Sequence, residues 1–258
     1  MQRARRLAST AVVAALVVGG LSACQAEPEV AAYVGSLGTI ATAEVARIYD
    51  QAEDKLTESR DALLLKQQQQ QPAGASAEPL PPVQMPFKQQ DVLNTLLTLD
   101  ILEQVAATHH VQPAAKPTVA DITEATGFSP EWEYTGLYTR TYQLRAALSE
   151  AVPPGELTDA ELRSVYDKLH AAAPSDLPPF EQFKSQLSEA DQKTLEQSLG
   201  LRDEVAKVVE AEDVKPNPRY GTQELDLLSA RPNNTLVPLV TAPLAAEGTQ
   251  APFVASGP

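Results

Sequence analysis

The chain has 258 residues, 20 Lys+Arg against 34 Asp+Glu, and a formal net charge of -14. That length allows one or two domains with a real core. Such an acidic balance excludes nucleic acid as a main partner, because phosphate backbones need clustered Lys/Arg. One Cys excludes an internal disulfide framework and any multi-Cys zinc site, three His leave little for catalysis, and 5% aromatics is thin for a β-sandwich or barrel.

Residues 1–23 read as a targeting segment. Arg3, Arg5 and Arg6 form a basic start, and Leu7 to Gly20 is a mostly apolar run of 14 residues, short for a bilayer span. Leu21-Ser22-Ala23-Cys24 follows and resembles the bacterial lipobox, in which small residues precede a cysteine that is lipidated. This resemblance implies a covalent diacylglyceryl lipid on Cys24 as anchor, no other cofactor, and a protein held to the cell membrane on its extracytoplasmic face. Residues 24–30 would be a tether. Without residues 1–23, which hold three arginines and no acid, the net charge becomes -17.

Beyond the tether, Ala31 to Val34 is a candidate strand ending at Gly35. Thr42 opens a helix whose apolar face is Val45, Ile48, Tyr49, Ala52, Leu56 and Leu63. Residues 66–88, with Gln67 to Gln71 and five prolines, form a low-complexity arm that cannot bury apolar area. A second helix, from about Lys88 to Thr108, has almost no polar face and is taken as the hub of the core. Thr118 to Asp121 has capping-box spacing for a short third helix that ends near Gly127.

Ser129-Pro130-Glu131 reads as the start of a fourth helix running to about Val152, where Pro153-Pro154-Gly155 stops it. Thr158 to Glu161 caps a fifth. A long helix is expected from Phe180 to about Glu210. From Val214 a second strand is possible, confined to an edge by Pro216 and Pro218. Residues 231–258, with five more prolines, read as a disordered tail. The fold class is therefore mainly α: one helical domain over 31–230, with a short strand pair formed by its chain ends.

The order of these elements resembles the N-terminal domain of the SurA and PrsA chaperone families. The residues that carry it are AAYVGSLGTIATAEVARIYD (31–50), LNTLLTLDILEQVAATHHV (93–111), LTDAELRSVYDKL (157–169) and VKPNPRYGT (214–222). The likeness covers roughly 31–228, and the Asn usual in the family's first turn is missing. Family members insert a parvulin prolyl-isomerase domain between the fifth helix and the last long one. Here only ten residues separate Leu169 from Phe180. The resemblance thus implies the chaperone part without the isomerase part: a binder of unfolded or extended polypeptide, not an enzyme.

No catalytic constellation or metal site stands out. His109 and His110 are adjacent, point about 100° apart on a helix, and are read as packed or solvated. Glu131/Glu133 and Glu210/Glu212/Asp213 are read as charged helix faces. Trp132, Tyr134, Tyr138 and Tyr142 hold more interest, since the three tyrosines repeat at i, i+4 and i+8 in one stripe. Core packing explains such a stripe; the functional alternative is a peptide-contacting surface. Arg219 and Tyr220 are expected to lock the terminal strand to the body. A prolyl isomerase with an unusual site and an adaptor or structural cell-envelope lipoprotein remain as rival readings.

Overall fold

The computed structural model describes residues 29–70 and 84–247. Cys24, the leader and most of the tether lie outside them, as do 71–83 and 248–258. Among the described residues the protein is mainly helical with two small antiparallel sheets, as the sequence predicts.

Strand β1 (Val30–Val34) is the middle of the first sheet, between β2 (Gly38–Ala41) and β3 (Lys215–Pro216). Tyr33 is opposite Thr39 on one side and Lys215 on the other. The pair of strands from the two ends of the helical region is therefore present, with Pro216 on an edge where its missing N–H costs nothing. The β1–β2 turn needs Gly35, whose φ is +46° and whose Cβ would lie 2.2 Å from the Glu212 carbonyl. Glu212 answers through its side chain, accepting from both the N–H and the hydroxyl of Ser36 at 2.7 Å.

At the far end the expected Tyr220 is buried in the core, and a further lock, absent from the sequence reading, is Asn217. Its backbone N–H donates to Ala31 O at 2.8 Å and its Nδ2 to Val30 O at 3.0 Å, while its Oδ1 accepts from Arg219 N at 3.1 Å. Tyr220 is buried beneath, with the Arg219 guanidinium 4.6 Å above its ring.

Helix α1 (Thr42–Gln70) buries Val45, Ile48 and Ala52 and then projects, with Leu63 and Leu65 exposed. It carries Lys66 to Gln70, so the first residues of the expected arm are helical. At the arm's other end, Phe87 is buried in the core. Helix α2 (Gln89–His109) is the hub, with ten buried residues, and packs against α1, α4 and α7. Helix α3 (Val119–Thr126) has its predicted Thr118/Asp121 box and ends at Gly127, φ +76°.

Helix α4 (Glu133–Ala151) begins three residues later than the Ser-Pro-Glu signal suggests. Ser129 closes a turn instead, its O accepting from Trp132 N and from Thr135 Oγ1. The free Glu133 N–H is capped from α1, by Gln51 Oε1 at 3.2 Å. Helix α5 (Asp159–Ala172) starts where Thr158 caps Glu161. The expected single helix over 180–210 is two, α6 (Phe180–Gln186) and α7 (Glu189–Ala211). Ser188 breaks them, capping Asp191 N at 3.1 Å and donating to its carboxylate at 2.6 Å. That Ser-Glu-Ala-Asp signal is legible in the sequence but hidden by continuous apolar periodicity.

The disordered-tail expectation is corrected for 231–247. Strand β4 (Glu224–Ala230) pairs with β5 (Val237–Pro243), and Leu239, Val240, Ala242 and Leu244 are buried. A two-stranded hairpin has only edge strands, so Pro238 and Pro243 are tolerated. Its loop turns at Asn233 and Asn234, both in the left-handed region at φ 51° and 61°. Lys168 of α5 donates to Leu239 O at 2.8 Å and Arg145 of α4 to Asp226 O at 2.7 Å, fixing the hairpin to the helices.

Candidate functional site

The tyrosine stripe divides between core and surface. Trp132 and Tyr134 are only 5% and 3% exposed, so they belong to the core and are not a peptide-contacting surface. They surround Phe87, whose ring stacks on Tyr134 at 4.0 Å and meets Trp132 edge-on at 5.8 Å. Burial pushes the Tyr134 phenol up to about 12. Its oxygen accepts from Thr95 Oγ1 at 3.4 Å.

Tyr138 and Tyr142 are half-buried and reach the surface, their hydroxyls 3.0 Å apart. Burial, then the hydrogen bond with Tyr142, raises the Tyr138 phenol far above neutral pH. Both rings line a cleft of about 120 Å³ between α2, α4 and the start of β4. Asn94, Thr95 and Thr98 form its α2 wall, and Glu224 and Asp226 its β4 wall. A second cleft, about 240 Å³, shares Tyr142 and Arg145 with the first and continues past Leu227 and Leu228 to Ser198 and Leu201 of α7.

Arg145 sits at the junction. Its guanidinium lies 4.2 Å from the Tyr142 ring centre while bonding to Asp226 O. Burial raises the Asp226 carboxyl, opposed by Arg145 and Lys168. Asn94 Oδ1 is buried in this wall without a hydrogen-bond partner. The outer edge of β4 runs beside both clefts and pairs with no strand among the described residues. Sequence reasoning reached Tyr138 and Tyr142 but missed β4, Asn94 and Arg145. The alternation at Leu225 and Leu227 was the available signal for the strand.

The remaining polar candidates are engaged structurally. His109 Nε2 lies 3.0 Å from Glu204 Oε2, and His110 ends α2 in the left-handed conformation at φ 55°. Glu133 is held by Arg47 at 2.6 and 2.8 Å, which lowers its carboxyl. Glu210 accepts from Glu247 N, and Asp213 pairs with Lys215. Among the described residues no three His, Cys, Asp or Glu side chains gather as a metal site, and no helix is long and apolar enough to cross a membrane.

Asp100 of α2 is a half-buried carboxyl with a measurable consequence. Burial, then Glu103 and Glu44, raise it from 3.8 to about 6. The folded state therefore binds its proton more tightly than the unfolded chain, and stability falls as pH rises from about 4 to 6. Asp100→Asn should raise stability at pH 7.5 by about 1 kcal/mol, after discounting for solvent screening, and add almost nothing at pH 4. Urea melts at the two pH values check this, and an equal effect at both would contradict it.

No family model, no curated protein and no solved structure matches this chain.

Proposed function

We propose that this protein is a membrane-tethered, extracytoplasmic lipoprotein that holds unfolded or extended polypeptide without catalysing a reaction, in the manner of the non-isomerase part of SurA-type chaperones. The observation that carries this reading is the unpaired edge of β4 beside the clefts lined by Tyr138 and Tyr142. A strand edge without a neighbouring strand offers main-chain hydrogen bonds to an extended chain of any sequence, here at the groups other than Asp226 O, which Arg145 already takes. The tyrosine rings beside it add rigid contact area that is not tied to one partner. The basic, apolar leader ending at Cys24 supports the anchor, and the acidic surplus keeps such a binder soluble.

Light scattering from a heat-aggregating client is the test. Equimolar protein should suppress aggregation and bind the unfolded client, with cis-to-trans conversion of an Ala-Pro peptide left at the buffer rate. No suppression together with no peptide binding would overturn the reading. In cells, Cys24→Ala should abolish labelling by a lipid precursor; equal labelling would remove the anchor from the proposal.

The adaptor reading has one observation in its favour. The last turns of α1 project from the body with Leu63 and Leu65 exposed at 55% and 59%, running into the glutamine run. Crosslinking in cells separates the two readings: many clients support the holding function, one dominant partner the adaptor.

A further inference from the structure

We infer that residues 248–258 dock on the outer face of the first sheet, with the Phe253 ring seated in the cleft over Tyr33. This goes beyond the holding of polypeptide and does not depend on it. The last described residues bring the chain to that place. Ala246 N donates to Val214 O at 2.9 Å and Glu247 N to Glu210 Oε1 at 3.1 Å. Val214 stands between Asp213 and Lys215, and both of those border the cleft. The chain beyond Glu247 therefore sets out beside its rim.

The floor of the cleft is a row across three strands. Ala32 and Val34 are buried, so Tyr33 between them is on the outer face, and Thr39 and Lys215, directly opposite it, share that face. Gly35 and Gly38 place no side chain over one end of the row. The charges at the rim are engaged within the fold, Glu212 by Ser36 and Asp213 by Lys215. The remaining lining is mostly apolar and suits an aromatic ring laid against Tyr33. Its volume, about 340 Å³, exceeds the ~150 Å³ of a cavity that takes up benzene. Residues 248–258 match it: they carry no charge, and Phe253 and Val254 are their only large apolar side chains. Pro252 fixes its own φ and favours an extended Ala251, a form that lies along a sheet face. Phe253 is six residues past Glu247, a reach of up to ~20 Å against the ~10 Å of two strand spacings. So short a tether gives the segment an effective concentration of about millimolar, ahead of a second copy or another protein.

Fluorine NMR of the full chain tests this, with 4-fluorophenylalanine in place of Phe253 and a soluble gadolinium chelate as the probe of solvent access. The reference is the same label in place of Leu236, which is exposed on the β4–β5 loop. Relaxation by the chelate should be about fivefold weaker at 253 than at 236. Thr39→Arg fills the cleft from an exposed position of β2 and should bring the 253 label up to the level of the 236 label. Tyr33→Ala, which removes the floor, should do the same. Equal relaxation of the two labels in the otherwise unchanged chain overturns the inference, as does protection at 253 that survives Thr39→Arg. Adding excess unlabelled wild-type chain to labelled Thr39→Arg should leave the label exposed; protection regained there would make a second copy the source of the docked segment and overturn the inference too.

Discussion

Phe87→Ala should lose about 4 kcal/mol of stability, the largest effect of a single side chain in this protein. The ring is buried and has four aromatic neighbours within 6 Å of its centre: Tyr49, Phe128, Trp132 and Tyr134. Three of the contacts are edge-on and the fourth is stacked, the arrangements that aromatic quadrupoles favour. Removing the ring leaves a void walled by rigid side chains from α1, the α3–α4 connection and α4, which cannot all close in together. For a domain of this size the loss corresponds to a melting temperature lower by roughly 8–16 °C. Trp132 is the only tryptophan, so its emission reports on the site directly and should shift to the red. A loss under 1 kcal/mol would mean that the cluster is not packed around Phe87.

Gly200→Ala should cost about 3 kcal/mol by a different route, crowding where the first substitution leaves space. Gly200 is in α7, and a Cβ there would lie 2.1 Å from the Pro153 carbonyl. The partner is backbone in a Pro-Pro-Gly segment, not the end of a flexible side chain. That segment is also tied to α7 by Gly155 N donating to Glu196 O at 2.8 Å. Gly155→Ala meets the same obstacle from the other side, 2.7 Å from Gly200 N. Both strains are relieved by one displacement of the loop, so the double variant should lose less than the sum. Gly136→Ala is the control: it is in α4 with nothing within 4 Å of its Cβ, and alanine there should gain about 0.5–1 kcal/mol. Chemical denaturation of the four variants checks the whole pattern.

What could be read from the sequence follows from the range of the interactions involved. The Thr118 and Thr158 caps and the all-round apolar α2 are local signals, written within one or two turns of chain. The sheet joining 30–34 to 215–216 came from a resemblance in element order, and the Asn217 side chain that fastens it has no local mark at all. Phe87 is the sharpest failure. It follows a run of prolines and glutamines whose composition argues against burial, and only the three-dimensional meeting of α1 with the Phe128–Tyr134 region gives it a pocket. The β4–β5 hairpin was obscured in a similar way. Its prolines argue against strands in a large sheet, yet they fit a ribbon that has nothing but edges. At the candidate site, a spacing of four residues placed Tyr138 and Tyr142 together. Which tyrosines face outward depended on where Phe87 and β4 came to lie.

The position of β1 has a mechanical consequence. Tension transmitted through the residues before Glu29 enters the fold at Val30, the start of the strand flanked by both others in its sheet. A pull there cannot peel an outer strand away one hydrogen bond at a time. It shears β1 against β2 and β3 together, and against the Asn217 side chain that grips the Val30 carbonyl. Ala31, Ala32 and Val34 would have to leave the core in the same event. The domain is thus fastened at its entry point by a joint that resists as a unit.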